Sequence, residues 1–475
     1  MSVKVTSSRV LLCIGLSSLL AGCATSELPK MDRSTPAQWL QPAGNSGGVQ
    51  GVQLGVDDLQ QWWHRFNDPE LNALVNEALN QNLDLVQALG RLKRQRSLMG
   101  VASSTYKPEM TGGARTLQDI AAVDSYFHAS IDVAWDLGLF GAREATMQVA
   151  HGELLTAQAQ ARGASVNLVA DVVHRWLDIR MAQRQRGLLE QRVALDERAL
   201  KLTQVRLQQR LGSHDAVQEV QLQLGQSRAQ FYGVKESQAR AAHALAVLLG
   251  RTQPDGRWLA TDVQARMPQP LAFQLQVLPA DLLRTRPDIE SAEAAVEHAA
   301  GTLGLSRSAL YPRFALSGSL LYSYNLTRNF RTTSDQMPLI GPVIDIPLFD
   351  WGRRRSQVEA DEAAFDIAVK GYRQSVLEGI ADVETALAGI AAQHERIEAL
   401  EDMAQQLAAR GDVVKRRQRL GLASEFSGLA DQRAALQNQS DQAIAQGAQA
   451  LAYIALYKAL GGAPLPAQAN AETAQ

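Results

Sequence analysis

Along most of this chain the apolar residues fall at helical, heptad-like spacing. Val166, Val169, Val173 and Trp176 step by three, four and three. Leu188, Leu195 and Leu202 lie seven apart, as do Val376, Val383, Ile390 and Ile397, with Ile380 and Leu387 on the neighbouring line. No proline occurs between Pro108 and Pro254, or between Pro347 and Pro464. The spacing predicts one long helix in each stretch. Each runs from the arginine after an extended segment to a glycine, Gly212 or Gly421, and a second helix returns from the turn. Such a helix has about 67 residues and is on the order of 100 Å long at about 1.5 Å per residue, far more than a bilayer core needs.

Twice the period shifts from about 3.6 to 2 and back. Phe127, Ala129, Ile131, Val133 and Trp135 alternate with His128, Ser130, Asp132, Ala134 and Asp136. Phe314, Leu316, Gly318, Leu320, Tyr322 and Tyr324 alternate with Ala315, Ser317, Ser319, Leu321, Ser323 and Asn325. Beyond a polar loop, Ile340, Ile344, Ile346 and Leu348 alternate with Gly341, Val343 and Asp345. The partner of the first strand, near Met110 to Leu117, is weakly patterned. Two hairpins are predicted, at about 108–137 and 312–348. One apolar and one polar face on strands of about ten residues suit a membrane barrel, although a half-buried soluble sheet alternates in the same way. Four strands cannot close around water; three copies would supply twelve.

The two long patterns are copies of each other. "NLDLVQALGRLKRQRSLMGVASSTYKP" from Asn82 matches "RPDIESAEAAVEHAAGTLGLSRSALYP" from Arg286, with Asp84 and Pro108 answering Asp288 and Pro312 at an offset of 204. "VAWDLGLFGAR" answers "IDIPLFDWGRRR", with Gly141 and Gly352 offset by 211, and Ser213 and Ser424 keep that 211. Repeats of residues 58–252 and 279–462, joined by a connector at 253–278, account for the body.

The first 57 residues are of another kind. Lys4 and Arg9 precede an apolar run, Val10 to Leu20, too short to span a bilayer. Leu20-Ala21-Gly22-Cys23 then has the form of a bacterial lipobox. Residues 1–22 are read as a signal peptide, and Cys23 as the site of an S-diacylglycerol group and an N-acyl (palmitate-type) chain. Ala24, not Asp, follows the cysteine, which by analogy sends the protein to the outer membrane. Residues 23–57 form the lipid anchor and an extended linker rich in Pro and Gly, and residues 463–475 a disordered tail.

Composition narrows the function. The chain is 46% hydrophobic but only 5% aromatic, which suits long helices. Formal net charge is −2. Loss of Lys4 and Arg9 leaves 45 basic against 49 acidic side chains, net −4, so no nucleic-acid footprint is expected. Cys13 leaves with the signal peptide and Cys23 is the lipid site, so no disulfide is expected. The eight histidines are scattered, without HExxH or a Cys/His cluster. No metal, no cofactor other than the lipid and no enzymatic activity are expected. "GTLGLS" (Gly301–Ser306) lacks the strand and lysine of a phosphate loop and is read as close helix packing. Asp288 and Glu290 are read as solvated or paired with arginines, and Trp62-Trp63 as a packing anchor for the first helix.

Taken together, Trp62-Trp63, "FNDPELNALVNEALNQNLDL", "AWDLGLFGAR", "RTRPDIESAEAAV", "ALYP", "IDIPLFDWGRRR" and "RLGLASEFSGLADQR" make the chain resemble the outer-membrane factor (TolC-like) family, in its lipoprotein, NodT-type branch. The resemblance covers essentially the whole mature chain. It implies a mainly α fold with a membrane β part: a homotrimer with a twelve-stranded β-barrel in outer-membrane lipid, four strands per chain, continued by a long coiled-coil tunnel into the periplasm of a Gram-negative cell. It implies two partners, a periplasmic adaptor (membrane fusion) protein and an inner-membrane transporter, with the channel passively conducting what the pump delivers. A lipid-anchored structural or adhesin-like coiled coil without a pore is the other reading. On the resemblance, Gly141, Arg143, Gly352, Arg353 and Arg354 mark where strand becomes tunnel helix, at the lipid–water border. A closing constriction belongs at the far turn, where relatives carry an aspartate in "LLDAQ". Here that position is Ala430, and the acid is Asp431, rotated by about 100° around the helix. Asp431, Glu425 and Asp215 are the candidate gate residues; the same acids could simply cap helix starts.

Overall fold

The computed structural model describes residues 33–40, 52–55, 57–118, 125–262, 267–270, 273–275, 277–326 and 335–464. The expected signal peptide (1–22), Cys23, part of the linker and the tail from residue 465 lie outside the described residues.

The repeats fold alike. Helix α1 (Pro69–Gln81) leads into α2 (Leu83–Ser104), then α3 (Ala142–Gln208) and α4 (His214–Leu248). The second copy brings α5 (Pro287–Ser308), α6 (Arg353–Arg419) and α7 (Glu425–Ala459). α2 and α5 have 22 residues each, α3 and α6 67 each, and α4 and α7 35 each. The first pair starts 204 residues apart and the other two 211, so the extra seven residues fall between the first strand of each hairpin and the long helix. Strands β1 (Val52–Leu54) and β4 (Phe273–Leu275) pair in parallel. β2 (Glu109–Gln118), β3 (Ser125–Asp136), β5 (Arg313–Asn325) and β6 (Asp335–Asp345) form the other sheet.

Two compact units result, and each takes segments from both repeats. The first comprises 90–159 and 290–375 among the described residues. It holds the four-stranded antiparallel sheet, ordered β2-β3-β5-β6. Ile131 sits opposite Gly112 on one side and Leu320 on the other, and Gly318 opposite Ile340. Met110, Ile131, Val133, Phe314, Leu320, Tyr322, Ile340 and Ile344 therefore share one face. His128, Ser130, Asp132, Ser317, Ser319 and Ser323 share the other, with Leu117, Leu321, Leu339 and Val343 among its apolar exceptions. Met110, Ile131, Leu320, Tyr322, Ile340 and Ile344 are all exposed. Among the described residues β2 and β6 each have one unpaired edge. Below the sheet, α3 and α5 cross on glycine. A Cβ on Gly301 would lie 2.7 Å from the Val149 nitrogen, and one on Gly152 2.7 Å from that of His298.

The second unit comprises 33–89, 160–289 and 376–464 among the described residues, and it has the aliphatic core. Val169, Val173, Trp176, Ile179, Leu245, Leu249 and Leu456 are buried in it. Trp62 anchors the last helix, α7: it stacks on Tyr457 at 4.6 Å, and its indole N–H donates to the Gly462 carbonyl at 3.0 Å. Asp68 caps α1 by accepting from the amides of Glu70 and Leu71, and also accepts from the Trp176 indole at 2.8 Å. The linker is docked where it is described. The Trp39 indole donates to the Val277 carbonyl at 2.7 Å, and the Leu40 amide to Glu384 at 2.6 Å.

Candidate functional site

The strand-to-helix passages have one backbone geometry, used twice. Phe140 and Gly141 have φ of 56° and 81°; Trp351 and Gly352 have 54° and 82°. Two successive left-handed residues turn the chain out of the sheet, and the helix starts at the next residue. Only the second position is glycine, and a Cβ on Gly141 or Gly352 would meet nothing within 4 Å. The requirement is thus conformational, not one of space. In the first copy the Gly138 amide is held by Asp136 at 3.0 Å. In the second, Arg354 is held by Asp350 at 3.1 Å. Arg143, Arg353 and Arg354 stand in first helical turns, where the helix dipole disfavours cations. The helix dipole therefore does not account for them.

At the opposite end each long helix closes with the same pair of bonds. The Leu211 amide donates to the Arg206 carbonyl and the Arg210 amide to that of Leu207; Leu422 and Gly421 do the same to Arg417 and Gln418. This is a Schellman ending. Its left-handed residue is Gly421 (φ 72°) in the second repeat and Arg210 (φ 58°) in the first. The sequence pattern pairs Gly212 with Gly421, but backbone geometry pairs Arg210 with Gly421, because the first glycine stands two places late. Ser213 then caps α4 by accepting from the Ala216 amide.

The three acids expected at this end are dispersed. Asp215 is exposed in the first turn of α4. Glu425, in the first turn of α7, receives both a 2.8 Å and a 3.0 Å bond from Arg198 of α3. Those bonds hold its carboxyl below the usual carboxylate range. Asp431 is 8% exposed and bonded to Arg410 of α6 at 2.8 Å, while Ala430 is exposed. The rotation by one residue has therefore turned the acid onto α6 and left alanine outward. A fourth acid, Asp196, is fully buried between the Ser227 hydroxyl, 2.6 Å away, and the Arg433 guanidinium. Sequence reasoning found none of Asp196, Arg198, Arg410 or Arg433. Arg198 and Glu425 lie 227 residues apart and Asp196 and Arg433 237, and no local pattern marks such pairs.

Among the described residues no group of three or more His, Cys, Asp or Glu side chains could hold a metal ion, and no helix is long and apolar enough to cross a membrane.

Comparison with known proteins agrees with this layout. The sequence pattern described as outer membrane efflux protein matches residues 74–251 and 278–462, most of both repeats. The solvent efflux pump outer membrane protein SrpC of Pseudomonas putida is 28% identical over 461 residues, spanning 94% of this chain and 96% of that one. Nodulation protein T of Rhizobium leguminosarum bv. trifolii is 25% identical over 395 residues, 81% of this chain and 82% of that one. The solved structure of the outer-membrane channel OprN superposes with a TM-score of 0.77 at 24% identity, over 92% of this chain and 99% of that one. VceC of Vibrio cholerae gives 0.70 at 23%, over 85% and 98%. The repeated strand–turn–long-helix plan, matched along nearly its whole length, places this chain in the outer membrane efflux protein family.

Proposed function

We propose that the chain is one third of a trimeric export channel, passively conducting substrates that an inner-membrane transporter hands over through a periplasmic adaptor (membrane fusion) protein. One observation carries this: the four-stranded sheet exposes an apolar face and leaves both edges unpaired. In lipid each unsatisfied edge group costs several kcal/mol, so the sheet needs neighbours. Three copies make twelve strands, enough to enclose water. The apolar face then meets lipid and the serine-rich face lines the lumen. The long helices continue the lumen as a tunnel, and Arg143, Arg353 and Arg354 meet anionic head groups.

Cys23 carries the lipid, so Cys23→Ser should lose incorporation of labelled fatty acid; equal labelling would refute the assignment. The solvent efflux pump among the relatives names its own cargo, and cargo here follows the partner pump. Steady single-channel steps from purified protein in a planar bilayer would support the channel. Silence at every voltage would overturn it.

A further inference from the structure

The first junction has a defined partner within the chain. The Phe140 ring stacks on Tyr311 at 5.0 Å and 14°, with Phe314 6.2 Å away. Tyr311 precedes β5 and Phe314 lies at its start, in the strand beside β3. Trp351 holds the equivalent position 211 residues later, with the same backbone turn, yet it is 87% exposed. Its expected partners, 204 residues before Tyr311 and Phe314, are Lys107 and Met110. Both are exposed. They lie at the β2 edge, whereas Trp351 follows β6 at the other edge. Three strand spacings, about 15 Å, separate those edges, so these residues cannot meet within one chain.

We propose that Trp351 of one chain packs over Lys107 and Met110 of a second copy, making between chains the contact that Phe140 makes within a chain. This rests on the closed-ring reading above, in which β6 of one copy lies beside β2 of the next. The chemistry suits the contact. An indole face is the best aromatic partner for an ammonium group, and a thioether packs well against a ring edge. The bare neighbours of Trp351, Leu348 and Phe349, are covered by the same approach. One in-chain feature is not repeated at this seam. Arg313 pairs with Asp136 at 2.7 Å, but its counterpart is Glu109, which leaves Lys107 to supply the cation.

The test is to co-express two differently tagged full-length chains, one Trp351→Cys and one Lys107→Cys, and treat the membranes with a short bis-maleimide. A cross-linked pair carrying both tags is expected, absent when either variant is made alone. A trimer by native mass that yields no mixed pair would overturn the contact while leaving the ring intact, with Trp351 then facing lipid; single chains by mass would overturn the ring itself. Should the cysteine variants fail to assemble, Trp351→Ala and Lys107→Ala are compared. Each should lower the temperature at which the assembly dissociates, and the double variant should lose less than the sum of the two. Additive losses would refute the contact.

Discussion

Arg210 occupies a left-handed backbone position that costs an L residue roughly 1 kcal/mol, while its counterpart Gly421 occupies the same position freely. Arg210→Gly should therefore stabilise the protein by up to about 1 kcal/mol, less the entropy cost of a new glycine, and Gly421→Arg should destabilise it by a similar amount. Thermal unfolding of both variants decides; equal shifts in one direction would show that the Schellman turn does not govern this end. Two carboxylates nearby, Glu425 and Asp431, are candidates for a gate. Glu425 has a lowered pKa because Arg198 bonds its charged form. A lowered carboxyl pKa gives a contribution present above the unfolded value, about 4.3, and lost as pH falls through the folded one. The Arg198–Glu425 link should hold from pH 7 down to about 5 and weaken below about 4.3. Glu425→Gln together with Asp431→Asn should raise single-channel conductance at pH 7, and Glu425→Gln should blunt the response of the current to acid. Unchanged current and ion preference in the double variant would place the constriction at other residues. The candidate acids were legible as residues in the sequence, but their roles were not: the rotation of Asp431 onto Arg410 depends on which face of α7 meets α6.

The elements themselves were largely legible. Heptad spacing and the absence of proline marked α3 and α6, and alternation marked β3, β5 and β6. β2 was faint because Thr111, Gly112, Gly113 and Thr116 carry little hydrophobic signal; its pairing with β3, from Glu109 opposite Ala134 to Gln118 opposite Ser125, fixes it instead. The glycines of "GTLGLS" lie at a helix crossing. A Cβ on Gly301 would meet the Val149 nitrogen at 2.7 Å and one on Gly304 the Ala145 Cβ at 2.9 Å. Since backbone atoms cannot give way, Gly301→Val should cost about 1–3 kcal/mol or more, read as a lower unfolding temperature. Gly141→Ala, with open space around it, should cost only the left-handed backbone penalty of about 1–2 kcal/mol. A cheaper Gly301→Val than Gly141→Ala would mean that the helices do not cross this closely.

For the whole molecule, duplication explains why one chain writes two hairpins and two helical pairs, and why each compact unit mixes both copies. The outer strands β2 and β6 are left open among the described residues, so on the proposed reading a single chain is an incomplete wall. Family membership locates the protein in the outer membrane. The most direct measurement is the native mass of the full-length protein purified in mild detergent. Three chains in one particle is the predicted result; a stable single chain, with its sheet edges open, would contradict it.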